Sequence, residues 1–302
     1  MNINFYSQLK KNLQGELRED FDLSKSNWLG IGGKAKFFFK PKDLKDLQIF
    51  LRNNNQLFPI IVIGSGSNLL IRDKGFNGIV IKFGKDFDYI KVNNEIINCG
   101  PSTQKSLLAE HAANSSLTGF GFLYCIPGTV AGGVVMNSGC YGFDMSKIVL
   151  SISIIDMSGE IKIINNEDIN FSYRSSSVTK NHIITNIEMK GSHLEKEKIL
   201  ETMKTLKNKK DTEQPQKIKT GGSTFKNPKN LNKKAWQLIK ESGCADLQVG
   251  EIKLSNLHCN FLENLGKASS TDVENLINNI KEEVLKKTNI NLELELEVVG
   301  DK

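Results

Sequence analysis

The sequence contains few cysteines, and their arrangement excludes two kinds of small, cross-linked domain. The five cysteines are an odd number, lie far apart and include no C-x-x-C pair. A disulfide framework uses an even set and a structural zinc site uses closely spaced ligand pairs, so neither is expected. The four histidines form no H-E-x-x-H pattern, and no metal site is predicted. We expect burial, as small apolar side chains, of Cys99, Cys125, Cys140, Cys244 and Cys259.

Long hydrophobic runs are also missing from the sequence. No segment reaches the roughly 20 apolar residues that a membrane-spanning helix needs. The uncharged stretch 112–143 contains Pro127 and clustered glycines, which would leave backbone groups unpaired in lipid. Residues 1–20 lack the apolar core of a secretory signal. We therefore expect a cytoplasmic protein with more than one globular domain in its 302 residues and with no membrane partner.

Positive charge is concentrated in one segment. The net charge is +6, and lysine is densest over residues 204–219. Such a segment either contacts phosphates or nucleic acid, or forms a solvated helix end that runs into a linker. No aromatic residues alternate with the lysines for base stacking, which favours the helix end. We expect no nucleic-acid partner.

Hydrophobic periodicity indicates both helices and strands in the first two thirds of the chain. The pattern predicts helices over residues 5–18 and 43–55 and a buried strand over residues 58–63. Alternating residues on both sides of the turn 157–159 predict a pair of adjacent strands.

The last third of the chain has its own pattern after a polar junction near residues 211–222. Thr271 and Glu274 fit a capping box that begins a helix with one apolar face. Residues 291–298 alternate leucine with glutamate, which is typical of a strand with one solvated face.

A glycine-rich loop, GSGSNL, directly follows the strand predicted over residues 58–63. Its glycines free the backbone to turn several N–H groups toward one point, and its serines and asparagine add further donors, which suits a pyrophosphate. Leucine occupies the third glycine position of G-x-G-x-x-G and no G-K-[ST] follows, so a plain tight turn is the alternative. The candidate cofactor-binding residues of this loop are Gly64, Ser65, Gly66, Ser67, Asn68 and Leu69.

A second glycine-rich segment, IPGTVAGGVVMNSG, also carries no charge. Two neutral loops suit a dinucleotide that backbone dipoles hold by its phosphates. The alternative is a glycine-packed contact between a helix and its neighbours. The candidate cofactor-binding residues here are Pro127, Gly128, Thr129, Gly132, Gly133, Asn137 and Gly139.

Taken together, the motifs of this chain resemble one enzyme family. From about residue 27 to residue 300 the chain contains GSGSNLLIRDKGFNGIVIK, IPGTVAGGVVMNSGCYG, FSYRSS, GGSTFKNP, NFLENLGKASSTDVENLI and LELEVVG. In this order and spacing they resemble the UDP-N-acetylenolpyruvoylglucosamine reductases, the MurB flavoenzymes of peptidoglycan synthesis. The length resembles the shorter class of that family, which lacks an extra substrate-covering loop.

The resemblance implies an α+β fold with a FAD-binding domain of the vanillyl-alcohol-oxidase type, built of two subdomains, and a smaller α/β substrate-binding domain. It implies an N-terminal helical segment over residues 1–26, the FAD-binding domain over 27–192, a helix and linker over 193–222, and the substrate domain over 223–302. The last strand of the substrate domain is expected to return to the active site. Non-covalent FAD, NADPH as reductant, a UDP-sugar substrate and a monomer are implied as well.

The same resemblance assigns roles to six residues. The catalytic residues are Arg174, which faces the developing negative charge, Ser223, which donates the proton, and Glu295, which orients the intermediate or shares its proton. Taken alone, each residue also fits a plainer role as a surface arginine, a turn serine or a solvated glutamate. Glu293 and Glu297 point the same way as Glu295, so a register shift of two residues would change the assignment. The expected substrate-binding residues are Tyr173, Lys226 and Asn227.

Two other functions fit parts of this pattern. A flavin oxidase on the same domain would reduce oxygen, but no histidine lies in either glycine-rich loop for the covalent flavin attachment that such enzymes often use. A non-catalytic nucleotide- or RNA-binding module would use the lysine-rich segment, and its binding would depend strongly on salt.

Overall fold

The structure is a computed structural model and describes residues 7, 9–178, 181–229 and 231–302. The chain forms two compact units, each assembled from separate segments. The first unit consists of Met1–Glu19, Phe37–Gly64 and Gly78–Asn208, and the second of Asp20–Lys36, Ser65–Asn77 and Lys209–Lys302. The predicted domains are continuous in sequence, whereas these units are not, because strands β1, β2 and β5 each contain a point at which the chain passes from one unit to the other.

The helices and strands have the following bounds. Residues 7 and 9–12 are helical, and the α-helices after them are α1 Leu44–Asn54, α2 Lys105–Asn114, α3 Val130–Val135, α4 Lys196–Glu213, α5 Ala235–Glu241 and α6 Ser270–Thr288. The strands are β1 Glu16–Asp22, β2 Lys34–Lys40, β3 Ile60–Val62, β4 Leu69–Ile71, β5 Phe76–Ile81, β6 Ile90–Asn93, β7 Ile96–Cys99, β8 Leu117–Thr118, β9 Gly139–Cys140, β10 Phe143–Asp144, β11 Val149–Asp156, β12 Ile161–Asn165, β13 His182–Lys190, β14 Ser192–His193, β15 Gln248–Val249, β16 Ile252–Leu254, β17 Leu262–Asn264 and β18 Glu297–Val299.

The main sheet of the first unit has five antiparallel strands in the order β12-β11-β13-β7-β6. Strands β11 and β12 pair around the turn 157–159, which confirms the predicted strand pair. Apolar side chains of this sheet pack with helices α2 and α3 and with Ile199 and Met203 of α4 into one core. The helix expected within residues 193–222 is therefore present as α4, with a narrow apolar stripe on an otherwise solvated surface.

A second sheet has the strand order β1-β2-β5-β3, with β3 and β5 parallel. Helix α1 begins after Asp43, whose carboxylate accepts a hydrogen bond from Asp46 N at 2.8 Å, and this confirms the helix predicted over residues 43–55. The prediction of a buried strand over residues 58–63 is wrong in one respect. Strand β3 lies at the edge of the sheet and Val62 is 40% exposed, because only one side of an edge strand has a neighbour.

The second unit contains the three-stranded antiparallel sheet β15-β16-β17 with helices α5 and α6 around one core. It also contains the short parallel pair β4–β18, in which Glu297 is opposite Leu69 and Val299 is opposite Ile71. The alternating C-terminal stretch is thus a strand only at its end, over Glu297–Val299. Upstream of them, Leu294 makes an isolated bridge to Phe225.

Two further predictions about local structure are wrong in part. The helix predicted over residues 5–18 lies partly outside the described residues; residues 9–12 are helical, but the helix does not reach residue 18 because strand β1 begins at Glu16. The capping box of α6 is formed by Ser269 and Asp272, two residues earlier than predicted, with hydrogen bonds of 2.9 and 3.0 Å in the two directions. Glu274 is therefore available for a different contact.

Burial of the cysteines agrees with the sequence for Cys99, Cys125, Cys244 and Cys259, while Cys140 is half-buried. In the part of the chain that the structure describes, no helix combines the length and the apolar character needed to span a membrane.

Candidate functional site

The two glycine-rich segments meet at one point in the first unit. A Cβ atom added to Gly64 would collide with the Thr129 hydroxyl and would lie 3.3 Å from its methyl group. The glycine that ends strand β3 therefore admits a side chain of the other segment. The sequence predicts two loops with similar chemistry, and the structure brings their ends into contact.

The rest of the first loop belongs to the second unit. Gly66 has φ +69°, and a Cβ there would overlap the Ser26 carbonyl and lie 2.6 Å from the Asn27 Cα. Trp28 N donates to Gly66 O at 3.0 Å. The N–H groups of Gly66, Ser67 and Asn68 have no acceptor among the described residues. Three successive backbone donors therefore remain for a ligand.

The second segment is a short helix, α3, rather than an open loop. The Thr129 hydroxyl caps it by accepting from Gly132 N at 3.3 Å, and Val130 and Val134 are buried. A Cβ on Gly133 would lie 3.0 Å from Ser138 Oγ and 3.2 Å from Lys105 Cδ. At Gly133 the structure therefore shows the glycine-packed contact that was the alternative to a ligand loop.

Lys105 is a residue of this region that sequence reasoning missed. It is only 5% exposed, its Nζ donates to Ser138 Oγ at 3.3 Å, and its N–H donates to Gly128 O at 3.0 Å. Lysine is almost never this deeply buried, so its position beside a predicted cofactor-binding segment makes it a functional candidate. The only signal in the sequence is its position at the start of α2, where a cation is unfavourable for the helix dipole.

Arg174 lies in a tight turn of the first unit that the glycine-rich segment holds in place. Ser172 and Ser175 exchange backbone hydrogen bonds of 2.9 and 3.2 Å across the turn. The Asn137 side chain donates to Ser172 O at 2.9 Å, and Arg174 Nη2 donates to Gly139 O at 3.0 Å. The predicted catalytic arginine is thus fixed by two of the predicted cofactor-binding residues.

The backbone of Arg174 has a strained conformation, which the contacts around its turn maintain. Its φ of +55° is in the left-handed region, which costs a residue with a Cβ about 1–3 kcal/mol. The guanidinium carbon lies 5.0 Å from the centre of the Tyr173 ring, in a cation–π arrangement, and Tyr173 is 37% exposed. Strained backbone conformations are common at functional sites. At this turn the guanidinium of Arg174 lies over the ring of Tyr173.

Asn137 itself makes two contacts with its own chain. It is 4% exposed, and besides donating to Ser172 O it accepts from Ser146 N at 3.0 Å through Oδ1. Its position with φ +40° suits an asparagine. These contacts give Asn137 a structural role in addition to the predicted role in cofactor binding.

Ser223 and Glu295 are brought close together in the second unit. Glu295 N donates to Thr224 O at 2.9 Å, and Phe225 bridges Leu294, so the segment that contains Ser223 runs antiparallel to the one that contains Glu295. On its other side, Ser223 makes a bridge to Phe261. Both residues are half-buried.

The three alternating glutamates differ in their environments. The Glu293 side chain is 73% exposed and its carboxylate is 3.9 Å from Lys226 Nζ, while Glu297 is also exposed. Glu295 is half-buried, and its carbonyl accepts from the Asn68 side chain at 3.0 Å. Burial therefore favours Glu295 among the three.

The predicted substrate residues Lys226 and Asn227 lie next to this pair of segments. Lys226 N donates to Glu293 O at 2.8 Å, and its side chain is 26% exposed. Asn227 Oδ1 accepts from Ala235 N at 3.0 Å at the start of α5, so part of its amide is engaged by the protein. Arg174 and Tyr173 belong to the first unit, whereas Ser223, Lys226, Asn227 and Glu295 belong to the second.

Two protein families match separate parts of this chain and define its class. Residues 35–165 match the family described as FAD binding domain, and this range includes the strand–glycine-loop junction and the glycine-rich segment around α3. The chain is therefore a flavoprotein oxidoreductase. Residues 214–299, which contain Ser223 and Glu295, match the family described as UDP-N-acetylenolpyruvoylglucosamine reductase, C-terminal domain.

Curated relatives then define the family over the whole chain. The UDP-N-acetylenolpyruvoylglucosamine reductase of Pelagibacter ubique (strain HTCC1062) is 40% identical over 301 residues, covering 99% of this chain and 100% of the relative. That of Wolbachia sp. subsp. Drosophila simulans (strain wRi) is 42% identical over 291 residues, covering 95% and 97%. The chain thus belongs to the UDP-N-acetylenolpyruvoylglucosamine reductase, or MurB, family.

A solved structure supports the same assignment. The crystal structure of the MurB reductase from Thermus caldophilus has a TM-score of 0.81 and 30% sequence identity, and the match covers 95% of this chain and 99% of that one. The predicted fold class, FAD cofactor and oxidoreductase activity are confirmed, and NADPH is the reductant of the family's reaction. The site residues and the domain boundaries stay predictions.

The residues present fit FAD. The loop 64–69 offers the three unused backbone donors at Gly66, Ser67 and Asn68 and no charged side chain. Backbone N–H groups in such a loop bind phosphate oxygens without a counter-charge. These residues would hold the dinucleotide's phosphates.

Proposed function

We propose that this protein reduces the enolpyruvyl group of UDP-N-acetylglucosamine enolpyruvate with NADPH to give UDP-N-acetylmuramate, in the synthesis of peptidoglycan precursors. The observation that carries the proposal is the pairing of the Ser223 and Glu295 segments, in which Glu295 N donates to the residue next to Ser223. Family membership over the whole length of the chain supports it. We propose further that the protein acts as a monomer in the cytoplasm.

The backbone N–H groups of Gly66, Ser67 and Asn68 would hold FAD, which would supply hydride chemistry from NADPH to the terminal vinyl carbon of the substrate. Arg174 stabilises the charge that then develops on the neighbouring carbon and its carboxylate. Its planar guanidinium can donate two parallel hydrogen bonds to a carboxylate, which an ammonium group cannot reproduce. The hydrogen bond to Gly139 O and the strained turn limit the directions in which the guanidinium can move.

Ser223 donates the proton that completes the reduction at the carbon next to the carboxylate. A hydroxyl is a weak acid, so the serine has to be held close to the carbanion, and the bridge to Phe261 restricts its backbone. Glu295 orients the intermediate or shares the proton of Ser223. Lys226, Asn227 and Tyr173 bind the UDP-sugar, with Lys226 as the cation for its phosphates.

The test separates the two half-reactions by the flavin spectrum. NADPH should bleach the bound flavin, and the UDP-enolpyruvyl sugar should restore its absorbance in the absence of oxygen. A preparation that is bleached by NADPH but is reoxidised only by oxygen would support a flavin oxidase and contradict the proposal.

Variants then test the residues. Ser223→Ala should keep bleaching by NADPH and slow the reoxidation by substrate by about 100-fold or more, the usual range for loss of a positioned acid. Arg174→Lys should slow the same step, whereas Arg52→Lys, at an exposed ion pair with Glu160, should not. Fast reoxidation in Ser223→Ala would remove the serine from the mechanism and leave the reaction class intact.

A further inference from the structure

We propose that Arg72 and Glu274 form an anchoring pair that fixes the register of the C-terminal strand and thereby positions Glu295 for the reaction. The inference rests on the proposed function, since it concerns the carboxylate assigned there. It adds two positioning residues, neither of which is expected to touch the substrate or the flavin.

Register decides which carboxylate stands at the position of Glu295. Glutamates alternate at residues 293, 295 and 297, and each strand residue advances the chain by about 3.3 Å. A slip of two residues would therefore move Glu295 by about 6.6 Å and put another glutamate in its place. The leucines between them would face the same side after such a slip, so the apolar pattern alone gives little protection against it.

The strand itself is too short to hold this register alone. Strands β4 and β18 have three residues each and form an isolated parallel pair. Two-stranded pairs are marginal in water, and parallel pairing is slightly weaker than antiparallel pairing. Other contacts have to supply the missing anchoring.

Arg72 supplies two of these contacts directly. Its N–H donates to Val299 O at 2.8 Å and its Nη1 donates to Gly300 O at 2.9 Å, so one residue holds the last carbonyl of β18 and the carbonyl that follows it. Gly300 has φ +108°, and a Cβ there would lie 2.5 Å from Gly75 O. A slip of two residues would bring Val298 or Lys302 to this place, where neither fits.

Glu274 fixes the direction of the Arg72 side chain. The guanidinium donates to the Glu274 carboxylate through Nη2 at 2.7 Å and through Nε at 3.2 Å to each oxygen. The two side chains are 18% and 34% exposed, so water screens the pair less than it screens a surface ion pair. Such a two-point contact restricts the plane of the guanidinium, and with it the hydrogen bond to Gly300 O.

The pair has a rigid support at the start of helix α6. The Asp73 carboxylate accepts from Ser270 N at 2.8 Å and from its hydroxyl at 2.9 Å, and Asp73 N donates back to Ser270 Oγ at 3.0 Å. Arg72 and Glu274 are thus each within four residues of a second link between the same two segments. These two links fix the rotation of helix α6 about its axis relative to Arg72.

The upstream end of the strand is held by the predicted cofactor loop. The Asn68 side chain donates to Glu295 O at 3.0 Å, and Asn68 O accepts from Glu297 N at 3.1 Å. Glu295 therefore lies in a segment anchored at Asn68 on one side and at Arg72 on the other. Loss of the Arg72 contacts would leave Glu295 held upstream by Asn68 and Thr224 O, with the bond from Asp301 N to Gly75 O remaining on the downstream side.

The experiment is a double-mutant cycle on the holoenzyme, read by the two flavin half-reactions. Arg72→Met, which keeps an apolar stem, should slow reoxidation by the UDP-enolpyruvyl sugar by about 10- to 100-fold, the size expected for a displacement near 1 Å. Bleaching by NADPH and flavin content should stay unchanged. Glu274→Gln should give a smaller loss of the same kind, and Glu283→Gln, at the Lys286 ion pair of the same helix, should give none.

The cycle distinguishes positioning from a general structural effect. If Arg72 acts through Glu295, adding Arg72→Met to Glu295→Gln should cause little further loss. Multiplied losses, or an equal loss in both half-reactions, would overturn the inference. If Glu295→Gln alone reacts normally, the proposed role of Glu295 fails. If only Arg72→Met reacts normally, the anchoring pair fails and the proposed function stands.

Discussion

The two glycine-rich segments of this chain look alike in sequence but differ in structure. In the loop 64–69, three successive backbone N–H groups have no acceptor among the described residues. In the segment 127–139, Thr129 caps a short helix, and Gly133 admits the side chains of Ser138 and Lys105. Glycines are therefore frequent in a segment for one of two reasons. They leave backbone N–H donors exposed, which indicates a ligand site, or they allow close packing of other side chains, which does not.

The largest effect is expected for Gly66→Ala. The new Cβ would overlap the backbone at Ser26 and Asn27, and a φ of +69° adds strain of about 1–3 kcal/mol. We expect the purified variant to lose its flavin and to unfold at lower urea concentration. Gly142→Ala is the matched control, since its φ is +84° and its Cβ would meet nothing within 4 Å. Equal behaviour of the two variants would show that the collision is unimportant.

The next effect concerns the point where the segments meet. Gly64→Ala should lower stability by about 1–3 kcal/mol because its Cβ overlaps the Thr129 hydroxyl. Thr129→Ala alone should cost about 1 kcal/mol through loss of the helix cap. The double variant should be more stable than Gly64→Ala, as measured by denaturant unfolding. Additive losses would mean that these two residues do not meet in solution.

A smaller loss is expected where the second segment holds the arginine turn. Asn137→Ala removes one of the two donors to Ser172 O and the acceptor of Ser146 N, and should cost about 2 kcal/mol of unfolding free energy. It should also slow substrate reduction by freeing the turn of Arg174. Asn170→Ala provides the comparison, because Asn170 also has a positive φ of +47° but is exposed. A variant with normal stability and turnover would leave Asn137 without the structural role inferred from its contacts.

The smallest effect is expected for Gly132→Ala. Its Cβ would meet only the Thr129 hydroxyl, at 3.3 Å, and alanine favours the helix, so stability should change by less than about 1 kcal/mol. Flavin content then becomes the informative measurement. Loss of flavin at unchanged stability would indicate that the second segment also contacts the flavin. Full flavin occupancy would indicate that only the first loop supplies backbone donors to it.

Elements with local signals could be predicted from the sequence. Helix α1 has its cap at Asp43, and strands β11 and β12 alternate around a tight turn, so neighbouring residues specify these elements. The helix predicted over residues 5–18 is present at residues 9–12, but its predicted C-terminal end is wrong because residues 16–22 pair with strand β2 instead. The exposed side chains of β3 depend on its place at a sheet edge, which periodicity does not report.

The site depended more on distant contacts. The motifs indicated Arg174, Ser223 and Glu295, but nothing local predicted that Asn137 and Gly139 hold the arginine turn. Glu274 fits a capping box by spacing, yet its carboxylate binds Arg72, 202 residues away. Long-range charge pairs leave no periodic trace in a sequence, so they could only be found in the structure.

The pairing of β18 with β4 has a consequence for biosynthesis. Leu69–Ile71 is made early, but its partner Glu297–Val299 is made more than 220 residues later. At about 5–20 residues per second, this apolar strand stays without its partner strand for roughly 10–45 s during translation. The second unit, which contains Ser223 and Glu295, can therefore complete this pair only after Glu297–Val299 has been made, and a chain whose synthesis stops before residue 297 would leave an exposed strand open to chaperones or proteases.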